Sequence, residues 1–126
     1  MRRNLYMAWV YGIQSGLFIK IGWAHNVADR LRTMNLYNPH PCKVVMRRHV
    51  EDYGWIEKRM HRVLAPYSVG REWFLCDAAL VRAAMDVVMQ EARDMRRVRR
   101  ENEDAPAKRK IRLAGGRDVE FTQAKN

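Results

Sequence analysis

The sequence predicts an α+β domain followed by a long basic helix and tail, and three observations predict it. Two apolar runs, Leu5 to Ile13 and Leu17 to Ile21, are separated only by Gln14-Ser15-Gly16, the pattern of a β-hairpin. Downstream, stretches with apolar residues at helical spacing alternate with short β-branched runs. Beyond Asp77 the helical spacing persists while arginines accumulate on the other positions.

Each element has a local cause. Gly22 ends the second strand and Asn26 is placed to cap a helix in which Val27, Leu31 and Met34 share a face, until Asn38-Pro39-His40-Pro41 stops it. Lys43 to His49 supplies Val44, Val45 and Met46 for a third strand, whose flanking Lys and Arg suit an edge or half-exposed position in the same sheet. Asp52 opens a second helix with Ile56, Met60, Val63 and Leu64 as its stripe, ending near Pro66. A short strand, Glu72 to Leu75, follows Gly70. Asp77 caps a third helix whose inward stripe is read as Leu80, Ala84, Val87, Val88, Met95 and Val98. Asn102 to Lys110 reads as a linker with Pro106, and Ile111 to Phe121 forms a small hairpin around Gly115-Gly116 or stays loose. The order is β-β-α-β-α-β-α plus a basic appendage, divided into residues 1–77, an arginine-rich helix at 78–102 packed on them, and a basic linker and tail at 103–126.

Composition narrows the function classes. A chain of 126 residues with 48% apolar content fits one compact domain with a real core. A formal charge of +10 makes a polyanion the leading partner, because a protein that neutralises phosphates releases their condensed counterions. Nucleic acid therefore comes before a membrane surface, and no stretch approaches the roughly 18 consecutive apolar residues of a span. Met1-Arg2-Arg3-Asn4 is not followed by an apolar secretion segment, so a cytoplasmic protein, oligomeric state open, is expected. Cys42 and Cys76 stand in no CxxC or Cys/His cluster and read as reduced thiols rather than zinc ligands.

Several residues carry possible chemistry. Arg30 lies between Val27 and Met34 on the first helix, on or beside the inward face, where a guanidinium needs a partner; Arg32 should face solvent. Glu57 and His61, four apart on the second helix, share one flank of it. One hard carboxylate is enough to hold Mg²⁺ or Mn²⁺ when water and phosphate complete the shell, and no second carboxylate is paired with Glu57 in the sequence. Tyr11 and Lys20 fall on adjacent strands of the hairpin and can face one cleft. Arg93, Arg96, Arg97, Arg99 and Arg100, then Lys108, Arg109 and Lys110, form a second positive zone suited to phosphate contacts that carry no sequence information.

Trp9-Val10-Tyr11, Lys20-Ile21-Gly22 and Arg30 stand in the order of the GIY-YIG nuclease signature, which the chain resembles. Glu57, His61 and Gly70-Arg71-Glu72-Trp73-Phe74 extend the likeness to the phage and prophage branch with KIG as second motif and a GEWF-like end, here interrupted by one arginine. The resemblance implies a central three-stranded antiparallel sheet flanked by helices, and a DNA endonuclease that hydrolyses phosphodiesters with a single divalent cation by in-line water attack. It implies that Tyr11 positions the water, Arg30 stabilises phosphate charge and Glu57 holds the metal. Lys20 stands at the second motif's tyrosine and would bind phosphate or act on the nucleophile, His61 would relay a proton, and Glu72 could serve as a further acid. The best-known members have Gly at the position of Trp9 and Tyr at that of Lys20. Those departures leave a second expectation, a catalytically inactive module acting as a DNA-binding or anti-defence adaptor.

Overall fold

The computed structural model describes residues 6–104, together with the backbone of two strands at 109–112 and 118–121. The chain divides into two compact units, Met1–Ala92 and Arg93–Asn126.

In the first unit, β1 (Ala8–Ser15) and β2 (Phe18–Ala24) form the expected hairpin, pairing antiparallel from Trp9 with Ala24 to Ser15 with Phe18. Gly16 at φ 61° takes the left-handed turn position that side chains resist. Helix α1 (Val27–Tyr37) follows, and the Asn26 side chain accepts the Asp29 N–H at 3.0 Å, as the capping pattern predicted. β3 (Cys42–Val50) runs antiparallel to β1 on the hairpin's other side, with an irregularity between Gly12 and Ile13. Helix α2 (Tyr53–Val63) begins after Asp52, which holds the N-cap position without a side-chain capping bond, and passes into a single 3₁₀ turn at Ala65–Tyr67.

The α+β class is as expected, but the sheet has five strands rather than three. β4 (Ser68–Gly70), which the sequence reading missed, pairs with β5 (Trp73–Leu75), and β5 joins β2, giving the order β3-β1-β2-β5-β4 with every pairing antiparallel. β5 matches the short strand expected at Glu72 to Leu75, whereas the three residues of β4 are too few for alternation to be read from sequence.

α3 (Ala78–Asp104) starts where predicted, with Asp77 Oδ1 accepting the Leu80 N–H at 2.8 Å, and continues past Asn102. Its inward stripe is Val81, Ala84, Met85, Val88 and Ala92, whereas Val87 is 55% exposed and Met95 and Val98 are also exposed. This corrects the predicted stripe. The doublets Leu80-Val81 and Val87-Val88 support two helical phases, and contact with the sheet selects one of them. That contact is tight: a methyl group on Gly12 of β1 would lie 3.3 Å from Val81 Cγ1. One core joins Val10, Ile19, Ile21 and Met46 of the sheet to Ile56, Met60, Leu64, Phe74, Met85 and Val88. A smaller cluster on the opposite face joins Tyr11, Ile13, Ala24 and Cys42 to Val27 and Met34 of α1.

In the second unit, β6 (Arg109–Arg112) and β7 (Asp118–Phe121) pair antiparallel, in line with the hairpin expectation; Gly115-Gly116 lies outside the described residues. Among the described residues no helix is long and apolar enough to cross a membrane. Cys42 and Cys76 are free thiols, the first buried and the second half-buried.

Candidate active site

The alternation of β1 decides what faces α1. Val10 and Gly12 turn toward α2 and α3, which leaves Tyr11 and Ile13 on the α1 side. Tyr11 is 1% exposed and stands opposite Gly22, across the hairpin. A Cβ on Gly22 would lie 2.6 Å from the Tyr11 hydroxyl oxygen and 2.9 Å from its ring, so only glycine lets the phenol lie across the second strand there. The glycine of the KIG segment therefore has a local cause: it is the floor under Tyr11.

The phenol opens onto a cavity of about 530 Å³ lined by residues of β1, β2, α1 and α2 and by the β4–β5 turn. Tyr11, Arg30 and Glu57 all lie on its wall, with Gly22, Trp23, His25, Asn26, Asp29, Thr33 and Glu72. Arg30 is exposed on that wall rather than turned into the apolar face of α1, and Arg32 faces solvent in an ion pair with Asp29.

β2 pairs with β5 only through Lys20, and beyond it two groups take over the free edge. The Ile21 N–H donates to the Glu72 carbonyl at 2.9 Å, and His61 Nε2 lies 2.9 Å from the Ile21 carbonyl oxygen. A carbonyl only accepts, so the Nε2 facing it carries a proton. The same Nε2 stands 3.6 Å from Glu57 Oε2, and the ring is edge-on to Phe74. His61 thus sits behind Glu57, tied to the sheet edge, where Nε2 is committed to the backbone instead of the cavity.

Lys20 is not on the cavity wall. It pairs with Glu72 at 3.5 Å in an adjoining depression lined by Lys20, Arg71, Glu72 and Trp73. Glu72 borders both spaces and links Lys20 to the others. Arg71, the residue that interrupts the GEWF-like segment, occupies the β4–β5 turn at φ 55°.

Burial sets the charge states. The Tyr11 phenol is pushed above its ordinary value by burial, against the pull of Arg30 and with a smaller push from Glu72 and Glu57, so it is neutral at neutral pH. The Glu57 carboxyl is also raised, first by burial; His61 opposes the rise, Glu72 adds to it and Lys58 opposes it. A buried carboxylate with a second carboxylate close by gains from an arriving cation, and oxygen donors suit a hard ion. Among the described residues no group of three or more His, Cys, Asp or Glu side chains is placed to hold a metal, so water and phosphate would supply most of the shell.

Of the second positive zone, Arg93, Arg96, Arg97, Arg99 and Arg100 lie on the last turns of α3, with Arg97 3.9 Å from Glu101. Arg109 and Lys110 fall in β6, and Lys108 lies outside the described residues. The sequence reading missed Trp23 and His25 as cavity residues. Gly22 does not end the second strand as expected, because β2 continues to Ala24, and the available signal was an aromatic directly after that glycine, on the strand position that pairs with Val10.

A family model described as the T5orf172 domain matches residues 4–89. No curated protein and no solved structure matches the chain.

Proposed function

Because the chain belongs to the T5orf172 domain family, a phage-associated group related to nuclease-like, GIY-YIG-type folds, we propose that it is a DNA endonuclease hydrolysing phosphodiester bonds with one Mg²⁺ or Mn²⁺ ion. The observation that carries the reading is that Tyr11, Arg30 and Glu57, from β1, α1 and α2, line a single cavity.

Hydrolysis of a phosphodiester places negative charge on the nonbridging oxygens and on the oxygen that leaves. Arg30 donates hydrogen bonds to the nonbridging oxygens, and a guanidinium already in place needs no reorganisation as that charge grows. Tyr11, held neutral, accepts a hydrogen bond from the attacking water and aims its lone pair at phosphorus. As the new P–O bond forms and the in-line P–O bond breaks, the water's proton leaves to solvent and the leaving oxygen takes one from it. Glu57, with Glu72 nearby, would hold the divalent ion, which when bound would supply Lewis-acid polarisation of the phosphate and charge for the leaving oxygen. His61, anchored to the Ile21 carbonyl, flanks Glu57 from behind with Nε2 3.6 Å from its carboxylate. Lys20 acts through Glu72, orienting that carboxylate toward the cavity.

Plasmid, linear and branched DNA incubated with the protein, with and without Mg²⁺ or Mn²⁺, tests the reading. Cleavage is expected only with the ion and is lost in Glu57→Ala, which retains the parent's cooperative thermal unfolding. A Glu57→Ala protein that cuts as well as the parent would remove the assigned site. The displacement of Lys20 from the cavity favours one second reading, a DNA-binding module without hydrolysis; binding without product in either cation would select it.

A further inference from the structure

At the cavity mouth stands a group of rings that the hydrolytic chemistry does not use. Trp23 lies on the cavity wall yet is 39% exposed, although its strand is otherwise largely buried. Its ring is backed by Tyr53, at the start of α2, with centroids 4.5 Å apart. His25, also on the wall, meets Trp23 edge-on at 5.7 Å and Tyr53 at 5.9 Å. His25 is fixed in turn, because its Nδ1 donates to the Met7 carbonyl at 3.1 Å. The cluster is therefore held from two sides while Trp23 keeps more than a third of its surface exposed on the cavity wall.

The charges on the wall sharpen what such a surface is for. Among the described residues the cavity lining carries Asp29, Glu57 and Glu72 against Arg30, so that lining offers a phosphate no net attraction before a cation arrives. A nucleotide needs a further contact to settle there, and a rigid aromatic face supplies one at little ordering cost. In an intact duplex the faces of each base are covered by its neighbours; only an unpaired nucleotide can lay a face on the ring.

We propose that Trp23, buttressed by Tyr53 and His25, is a stacking platform for one unpaired base of the DNA strand whose phosphate enters the Tyr11–Arg30–Glu57 cavity. The inference rests on the endonuclease reading and narrows its substrate to DNA with an unpaired nucleotide beside the scissile phosphate, such as a flap, a bulge or a junction.

The test is binding by the full chain in EDTA, where hydrolysis is off, of a duplex and of the same duplex with one bulged 2-aminopurine. The wild-type protein should bind the bulged DNA more tightly and quench the 2-aminopurine fluorescence. Trp23→Ala should lose roughly 5- to 100-fold of that affinity and less than about 2-fold for the duplex, with Trp23→Phe recovering most of the loss. The preference should survive added salt, since stacking releases no counterions. Equal affinity for the two DNAs, an unquenched probe, or equal loss for both DNAs in folded Trp23→Ala overturns the platform. The wild-type quenching arm decides the matter even where Trp23→Ala fails to fold. Mn²⁺-dependent cleavage of the same oligonucleotides separates the two readings. A bulge preference without cleavage overturns the hydrolase and keeps the platform, cleavage without preference does the reverse, and absence of both binding and cleavage overturns both.

Discussion

The two faces of the β1–β2 hairpin are built from one short stretch of chain, yet each contains a glycine required by a different neighbour. On the α3 side Gly12 admits Val81, and the side chains nearest it are aliphatic: Val81, Ile19 and Ile21. On the α1 side Gly22 admits the ring of Tyr11, beside which the packing gives way to a cavity with Arg30 and Glu57 on its wall. The first glycine serves the fold and the second the site. Backbone space is thus spent on helix packing on one face and on placing a hydroxyl group on the other.

The contrast can be broken most sharply at Arg30. Because its side chain is exposed, Arg30→Ala should leave the thermal unfolding midpoint within about 3 °C, surface truncations being nearly neutral, while single-turnover cleavage falls roughly 10²- to 10³-fold as for loss of a preorganised donor. A stopped-flow or quench-flow rate near the parent's would detach Arg30 from the chemistry.

Swapping the glycines one at a time separates the faces. Gly22→Ala forces the Tyr11 hydroxyl off its position, and a displaced reacting group should cost on the order of 10²-fold in rate. Gly12→Ala presses on Val81 and Ile19 instead, which should cost about 1 kcal/mol in urea unfolding while the rate per folded molecule stays unchanged. If Gly12→Ala slowed cleavage as much as Gly22→Ala, the division of labour between the faces would be wrong.

The smallest effect concerns pH. Folding raises Glu57 above its ordinary value, so the native protein binds more protons than the unfolded chain between the two values. Metal-free stability should therefore fall as pH rises through the folded-state value and be recovered below the ordinary one. Glu57→Gln removes this dependence and should unfold at a higher temperature than the parent at neutral pH in EDTA. A lower midpoint would show that the carboxylate is not strained by burial.

Much of this was legible in the sequence because it depends on local rules. The Gln14-Ser15-Gly16 turn, the Asn26 cap on Asp29 and the Asp77 cap on Leu80 each rest on residues a few positions apart. The phase of α3 was not legible, since the doublets Leu80-Val81 and Val87-Val88 satisfy two faces and only the space over Gly12 chooses between them. The strand at Glu72 to Leu75 was read from the sequence and is found as β5, whereas β4 was too short to show alternation, and the three-strand sheet implied by the family likeness is found with five. At the site, the likeness to a known signature selected Tyr11, Arg30 and Glu57, which share a wall. It could not reveal that Lys20 is held by Glu72 in the next depression, because that depends on where β5 stops pairing with β2. Nor could spacing foresee the Ile21 carbonyl that engages His61, a backbone atom 40 residues away.

The central claim is that groups from separate elements of one cavity act on the same phosphate. A double-mutant cycle of Tyr11→Phe and Arg30→Ala, read as single-turnover cleavage in Mn²⁺, tests this directly, because groups that act as a unit are non-additive. The account predicts a double variant little slower than the worse single one; losses that multiply in full would contradict it.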